Sequence, residues 1–184
     1  MEVQGGYKLK TGEHAPPFDL VNVDGKRVSL DSFAGAKALV VAFWCNHCPY
    51  VRAYEARFVQ WAEAARTRGV GVVAINSNDE TNYPEDSFEH MVARAREHGY
   101  NFPYLRDGDQ RVATLFGAQC TPHFLVFGPD LRLAYQGRFD DNKDHPDRVE
   151  ERYLPDAVDA LLAGHAPARD MTWAIGCSVK WTPA

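Results

Sequence analysis

The chain has 184 residues, 45% of them hydrophobic, which favours one domain with a buried core over residues 1–184. Because 25 acidic residues outweigh 20 basic ones, giving a formal net charge of -5, we expect neither nucleic acid nor a membrane surface as a partner. The first twelve residues carry no apolar signal core, and no later run approaches the roughly 18 apolar residues of a membrane helix, so we expect a cytoplasmic protein.

The first predicted elements are a hairpin, a buried strand and a long helix. Residues 14–30 predict the hairpin, with Asp24-Gly25 as its turn. The continuous apolar run 38–44 predicts a strand covered on both faces. Apolar residues then recur every three or four positions from Pro49 to Gly69, which is typical of one helix face. A second buried strand at 70–76 completes a βαβ crossover, so the sequence predicts an α/β domain with parallel strands.

Two short helices and a strand are predicted next. Asp86 and Glu89 have capping-box spacing for a helix that stops at Gly99, with aspartate as the cap. Residues 102–105 predict a short strand, and Asp109 is the predicted cap of a further helix.

The last third of the chain predicts a hairpin, a loop and a closing helix. Residues 123–127 and 131–137 predict antiparallel strands, and 140–147 reads as a solvated loop. A closing helix follows, with Pro155 in its first turn. The tail, 165–184, has too much apolar surface to remain free, so we expect it to pack back on a core of about 12–164.

The organising motif is Cys45-Asn46-His47-Cys48-Pro49, at the junction of the first buried strand and the long helix. Unpaired backbone N–H groups and the helix dipole favour thiolate at such a position. A cysteine pKa near about 8.5 can fall to roughly 3.5–7.5 there. This context favours redox chemistry over structural zinc for the pair.

These features resemble the redoxin branch of the thioredoxin superfamily, which includes AhpC/TSA-type peroxiredoxins and TlpA/ResA-like thiol–disulfide proteins. The resemblance lies in the segment 14–18, the Cys45–Cys48 motif, the insert after the second core strand, and Thr121-Pro122 before the last hairpin. It implies a thioredoxin-like fold, with a central mixed sheet flanked by helices, an N-terminal hairpin and that insert.

The resemblance also implies roles for individual residues. Cys45 would be the exposed attacking thiolate at the helix mouth, and Cys48 the resolving thiol one turn inside. Thr121-Pro122 matches the family's cis-proline loop, which offers main-chain groups to a bound substrate.

Two residues beside the cysteines have implied roles of their own. His47 would tune the reduction potential as a cation beside the thiolate. Trp44 would form part of the apolar rim of the substrate surface.

The chain departs from the family pattern at several positions. Leu39 stands where thioredoxin has a buried carboxylate, so the proton acceptor is open; Glu80 or Asp79 are candidates, although a solvated loop is the simpler interpretation. Val41 and Cys45 stand where peroxiredoxins have proline and threonine or serine, if Cys48 is the peroxidatic cysteine.

Two further cysteines are open in role. Cys120, just before Thr121, is either an inert buried thiol or a third redox thiol. Cys177 could resolve a mixed disulfide if the tail folds over the site.

The sequence therefore predicts a thiol–disulfide oxidoreductase that acts on protein or small-molecule disulfides, with a dithiol reductant, no cofactor and no metal, as a monomer or weak dimer. One alternative is a thiol peroxidase using Cys48. The other is a non-enzymatic copper or zinc module that uses Cys45, Cys48, Cys120 and either His47 or His123. The substrate and the direction of electron flow are left open.

Overall fold

The computed structural model describes residues 6–183. Its strands are β1 (Asp19–Asn22), β2 (Arg27–Ser29), β3 (Ala38–Phe43), β4 (Val70–Asn76), β5 (Tyr104–Arg106), β6 (Cys120–Thr121), β7 (His123–Phe127), β8 (Leu133–Gly137) and β9 (Cys177–Ser178). Its α-helices are α1 (Pro49–Thr67), α2 (Phe88–Glu97), α3 (Arg111–Phe116) and α4 (Tyr153–Leu162).

Seven strands form one sheet in the order β2-β1-β5-β4-β3-β7-β8. The three middle strands β5, β4 and β3 are parallel, and the pairs toward both edges are antiparallel. The central mixed sheet predicted from the sequence is therefore confirmed, as are the N-terminal hairpin and the βαβ crossover. Gly25 has φ +80 in the hairpin turn, a conformation that glycine adopts without strain.

Strand β3 divides the core into two halves. All six of its residues are at most 1% exposed, because helices and loops cover both faces of the sheet. Residues 38, 40 and 42 pack with residues of α1, α2 and α4. Residues 39, 41 and 43 point to the other face and pack with α3 and the N-terminal segment. Successive strand residues point to opposite faces, so a continuous apolar run is what a doubly covered strand requires.

Helix α1 is tied to α2 through a buried carboxylate. Glu55 is 4% exposed, and both of its oxygens accept hydrogen bonds from the Arg94 guanidinium, at 2.8 and 2.7 Å. Tyr100 donates to the same carboxylate and accepts from the indole N–H of Trp44. This chain of polar contacts holds α2 against the helix that begins at the cysteine motif.

The predicted cap of α2 is wrong. Ser87 caps α2, since its side chain accepts a hydrogen bond from the His90 amide; Asp86 is turned inward instead. At α3 the predicted cap Asp109 accepts from the Arg111 amide at 3.1 Å, and Asp107, two residues earlier, accepts from the next two amides, those of Val112 and Ala113. The free amides at the start of α3 are therefore shared between two carboxylates.

The predicted solvated loop at 140–147 is also only partly correct. Asp140 is 3% exposed and forms an ion pair with Arg57 of α1. The loop is therefore attached to the helix at its start and exposed further on.

The tail returns to the body of the protein. Strand β9 pairs antiparallel with β6, and Ala174 and Val179 on either side of it are 0% and 4% exposed. Trp173 and Trp181 keep 38% and 46% of their surface exposed. Over residues 6–183, no helix is both long and apolar enough to cross a bilayer.

We predict that Phe58→Ala in α1 lowers the free energy of unfolding by about 3–5 kcal/mol, measured by urea denaturation. Phe58 is fully buried and its ring lies 5.1 to 5.2 Å from those of Trp44, Phe102 and Phe124, so truncation leaves a cavity among rigid rings. Val92→Ala on the exposed face of α2 is the control, with an expected change within about 0.5 kcal/mol. Equal losses in both variants would contradict the assignment of Phe58 to the core.

Candidate active site

The cysteine motif lies between the end of β3 and the start of α1. The helix begins at Pro49, so Cys48 is its N-cap residue, with φ −69 and ψ 125. Cys45 lies three residues before the cap. This corrects the order inferred from the resemblance: Cys48, and not Cys45, occupies the helix mouth, because Pro49 sets the first helical residue.

Thr121 contacts both sulfurs. Its hydroxyl lies 3.1 Å from Cys45 Sγ, and its carbonyl oxygen lies 3.2 Å from Cys48 Sγ, from which it accepts a hydrogen bond when that sulfur is protonated. The Thr121–Pro122 peptide bond is cis, as predicted. The loop between β6 and β7 therefore faces the cysteine motif across the end of the sheet.

Both motif cysteines are free thiols and both are 0% exposed. The expectation that Cys45 is exposed is wrong. Segments from three parts of the chain meet over the motif: the 84–86 turn on one side, Thr121 on another, and strand β9 of the tail, which lies against Thr121.

Electrostatics distinguish the two sulfurs. A hydrogen bond from the Cys45 thiol, which outweighs the effect of burial, lowers the pKa of Cys48 to about 5, with further help from the Cys177 thiol and the Val51 amide. Burial raises the pKa of Cys45 well above its usual value, and the charges of Asp86 and of Cys48 raise it further. The pair therefore shares one negative charge, which resides on Cys48 at the helix N-terminus.

Asp86 is a buried carboxylate beside the motif, whereas the capping-box spacing predicts it as the cap of a helix. It is 0% exposed and accepts hydrogen bonds from the Asn46 amide at 2.6 Å, from His47 Nδ1 at 2.5 Å and from Asn78 Nδ2 at 2.8 Å. Burial alone would raise its pKa, but the hydrogen bonds from His47, Asn78 and Asn46 bring the pKa below its usual value. The carboxylate therefore stays ionised and holds the loop between the two cysteines.

A polar run in the sequence also belongs to this region. Residues 76–79, Asn-Ser-Asn-Asp, are polar and yet at most 5% exposed. A polar run at the end of a buried strand is typical of an exposed loop, so the sequence does not indicate its burial. In the structure its side chains are donors and acceptors for the buried network.

This network favours the cationic form of His47. The hydrogen bond to Asp86 raises the His47 pKa above its usual value, against the opposing effect of burial. Its ring stacks on Tyr83, with centroids 5.4 Å apart. Because the carboxylate lies directly against the imidazolium, its negative charge offsets most of the effect that the positive charge of His47 has on the sulfurs.

The described residues include one cluster of potential metal ligands. A Cys45 sulfur, a His47 ring nitrogen and an Asp86 oxygen lie within 4.8 Å of one another. Of the residues predicted for a metal module, Cys48, Cys120 and His123 are not in this cluster. A metal there would displace the proton shared by His47 and Asp86, so the ion pair and a metal are competing uses of the same groups.

Trp44 does not line a substrate surface. It is 0% exposed, its indole N–H is bonded to Tyr100, and its ring lies 5.1 Å from that of Phe58. The prediction is wrong because the residue after β3 continues the strand's alternation and points into the half of the core that contains α1.

The contacts of Glu80 do not include the sulfurs of the motif. It is exposed, forms an ion pair with Arg106 at 3.6 Å and accepts from the Phe88 amide. Asp79 is bonded to Asn82 and to the Thr81 amide. The carboxylate that does reach the motif is Asp86, which the cap spacing had assigned elsewhere.

The two remaining cysteines have different surroundings. Cys120 is 3% exposed, and burial raises its pKa to about 12, so it remains a thiol. Cys177 is half-buried and pairs directly with Thr121 across the β6–β9 ladder. Burial and, after it, a hydrogen bond to Cys48 together raise the pKa of Cys177 to about 11. Cys177 therefore joins the site, whereas Cys120 lies beside it.

Comparison with known proteins places this site in a family context. The model of the AhpC/TSA family matches residues 11–136. The thiol-disulfide oxidoreductase ResA of Bacillus subtilis is 25% identical over 130 residues, which are 71% of this chain and 68% of that protein. A solved structure of an uncharacterized conserved protein from Geobacillus kaustophilus is 42% identical, with a TM-score of 0.92, over 100% of this chain and 97% of that one.

More distant structures share the fold. The thioredoxin domain of a thiol-disulfide oxidoreductase from Bacteroides vulgatus has a TM-score of 0.59 at 19% identity, over 70% of this chain and 89% of that chain. The peroxidoxin BcpB of Mycobacterium tuberculosis has a TM-score of 0.64 at 18% identity, over 85% and 97%. The thioredoxin-like fold predicted from the sequence is therefore confirmed.

We predict that Asp86→Asn lowers the pKa of His47 toward its ordinary value of 6.5, measured by NMR titration of the imidazole. The raised His47 pKa contributes stability that is lost as pH rises through it, and the lowered Asp86 pKa contributes stability that is lost as pH falls through it. The difference in unfolding free energy between wild type and variant should therefore be largest between the ordinary pKa values, 3.8 and 6.5.

Glu85→Gln is the matched control, because Glu85 is exposed beside Asp86. It should leave the His47 titration unchanged. An unchanged His47 pKa in Asp86→Asn would contradict the ion pair.

Proposed function

We propose that this chain, which belongs to the AhpC/TSA family, is a thiol–disulfide oxidoreductase that uses the Cys45–Cys48 dithiol through a mixed disulfide. The observation that carries the proposal is the placement of Cys48 at the N-cap of α1, with its pKa lowered to about 5 and a second thiol hydrogen-bonded to it. A thiolate beside a second thiol is what disulfide exchange requires. The substrates would be protein or small-molecule disulfides, and a dithiol reductant would restore the reduced form.

In the first step, the Cys48 thiolate attacks one sulfur of the substrate disulfide. A Cys48–substrate disulfide forms, the substrate S–S bond breaks, and the other half leaves as a thiolate. The geometry favours Cys48 over Cys45 in this role because Cys45 is the donor in their hydrogen bond and lies closer to the charge of Asp86. This reverses the roles implied by the resemblance.

In the second step, Cys45 attacks Cys48 Sγ and releases the rest of the substrate. Forming the mixed disulfide removes the negative charge of Cys48, which is one cause of the raised Cys45 pKa. Cys45 can then lose its proton to the departing thiolate. The product is a Cys45–Cys48 disulfide, so two electrons have passed from the protein to the substrate.

His47 and Asp86 act on this chemistry by positioning the loop. The Asp86 carboxylate holds the backbone N–H of Asn46 and the His47 ring, the two residues between the cysteines. A loop held at both residues keeps the two sulfurs within reach of each other. The ionised carboxylate also keeps the charge of the pair on Cys48 by disfavouring a Cys45 thiolate.

We predict that Cys48→Ala abolishes the burst of aromatic thiolate released from 5,5′-dithiobis(2-nitrobenzoate), whereas Cys45→Ala keeps it. The burst rate of wild type should rise with pH to a plateau above the Cys48 pKa of about 5. In Cys45→Ala the midpoint should move to higher pH, because the hydrogen bond that lowers the pKa most is gone.

Cys120→Ala is the control for these measurements, since that thiol stays protonated. The opposite pattern, with the burst lost in Cys45→Ala and kept in Cys48→Ala, would assign the attack to Cys45. Full activity of both variants in insulin-disulfide reduction would reject the function.

The same N-cap thiolate favours a second candidate, thiol peroxidase chemistry at Cys48. The thiolate would attack a peroxide oxygen, giving a sulfenic acid and releasing water or an alcohol. However, Cys45 and Val41 stand where peroxiredoxins have their conserved threonine or serine and proline. We predict that hydrogen peroxide oxidises the protein no faster than it oxidises free cysteine thiolate, measured by stopped-flow. A far higher rate that Cys48→Ala abolishes would make peroxidase the better assignment.

A further inference from the structure

Strand β9 lies directly against the active site. It pairs antiparallel with β6, so that Cys177 is opposite Thr121 and Ser178 is opposite Cys120. Side chains of directly opposed residues emerge on the same face of a ladder. Because the Thr121 hydroxyl contacts Cys45 Sγ, the Cys177 side chain is directed toward the same pair of sulfurs.

The backbone around Cys177 is fixed on both sides. Before it, the Ala174 amide donates to the Tyr7 hydroxyl at 2.7 Å; after it, the Lys180 amide donates to Asn78 Oδ1 at 2.9 Å. The Val179 amide is bonded to the carbonyl of Gln119 at 3.1 Å. Hydrogen bonds on either side of Cys177 therefore hold it at this position. Its closeness to the motif does not require a free tail to approach by chance.

Gly176 allows the close approach. A Cβ atom at this position would lie 2.2 Å from the Thr121 carbonyl oxygen, closer than any side chain can come. The absence of a side chain lets the tail backbone lie directly on Thr121, the residue that contacts both motif cysteines.

Neighbouring Cys120 does not share this position. Adjacent strand residues point to opposite faces, so Cys120 is directed away from the side that carries the Thr121 side chain. It packs with Tyr7 and Ala174 and lies 3.8 Å from the Pro122 carbonyl oxygen. Of the two accessory cysteines, only Cys177 faces the motif.

We propose that Cys177 is a third redox thiol of this site and forms a disulfide with Cys48. The proposal rests on the proposed function, since it needs Cys48 to react first with a substrate disulfide. The Cys177 thiol already hydrogen-bonds to Cys48 and is half-buried where Cys48 is fully buried. A Cys48–Cys177 disulfide would therefore bring the oxidising equivalent from a buried sulfur to one that an external dithiol can reach.

The Cys48–Cys177 disulfide can form by either of two routes, and atoms and electrons balance in both. Cys177, after loss of its proton to the leaving thiolate, attacks Cys48 Sγ in the mixed disulfide and releases the substrate as a thiol. Alternatively it attacks Cys48 Sγ in the Cys45–Cys48 disulfide, which breaks that bond, forms Cys48–Cys177 and returns the proton to Cys45. The first route transfers two electrons to the substrate, and the second moves the disulfide without net oxidation.

The test uses the full chain with Cys45→Ala, which removes the competing partner, and oxidised glutathione as the disulfide. Cys48 should first take up one glutathione and release the other. Cys177 should then displace the bound glutathione, giving a Cys48–Cys177 disulfide that peptide mapping detects after thiol blocking. In Cys45→Ala/Cys177→Ala the glutathione adduct should persist on Cys48, so that glutathione released per chain falls from two to one. Cys45→Ala/Cys120→Ala is the matched control and should behave as Cys45→Ala.

The outcomes separate this proposal from the proposed function. A glutathione adduct that persists equally in Cys45→Ala and in Cys45→Ala/Cys177→Ala would overturn the role of Cys177 and leave attack by Cys48 supported. No release of glutathione from any of the three variants would overturn attack by Cys48 and the Cys177 role together. Disulfide formation with Cys120 in place of Cys177 would also overturn the proposal.

Discussion

The structure around Cys45 and Cys48 depends on a buried negative charge that must be stabilised. The carboxylate of Asp86 is fully buried, and a buried anion is tolerated only where several donors surround it. The donors come from separate parts of the chain: the backbone of Asn46, the ring of His47 and the amide of Asn78. Asn78 in turn accepts from the Lys180 amide, so the same network reaches the tail. One carboxylate thus connects the loop between the cysteines, the segment after β4 and the strand that covers the site.

The charge on Asp86 also determines how the thiols share theirs. Two anions a few ångströms apart in a buried site repel each other strongly, so a thiolate at Cys45, the cysteine nearer Asp86, is disfavoured. Cys48 has the compensating donors instead: the thiols of Cys45 and Cys177 and the backbone N–H of Val51 in the first turn of α1. The three sulfurs therefore share a single negative charge, and the hydrogen bond from the Cys45 thiol does most to place it on Cys48.

Much of the fold follows from local patterns in the sequence. Three patterns predict β3, α1 and β4 within about two residues: the apolar run 38–44, the helical spacing after Pro49 and the apolar run 70–76. Each pattern is visible because the faces of an element that are buried determine which of its positions are apolar. The cap of α2 and the environment of Trp44 were predicted wrongly. Spacing alone cannot tell whether Asp86 or Ser87 caps the helix, since both have an oxygen and only the packing of the 84–86 turn decides which one faces inward.

The sequence by itself determined the reactive element: two cysteines at a strand-to-helix junction, a histidine between them and Thr121-Pro122 ahead of the last hairpin. These are contiguous motifs, whose chemistry depends on residue type and on the local start of a helix. Tertiary structure alone decided which sulfur has the lowered pKa, that the partner carboxylate is Asp86 and that Cys177 faces Cys48 while Cys120 does not. These features depend on distances between residues far apart in the chain and on burial, which changes the energy of a charge, and neither has a local signature in the sequence.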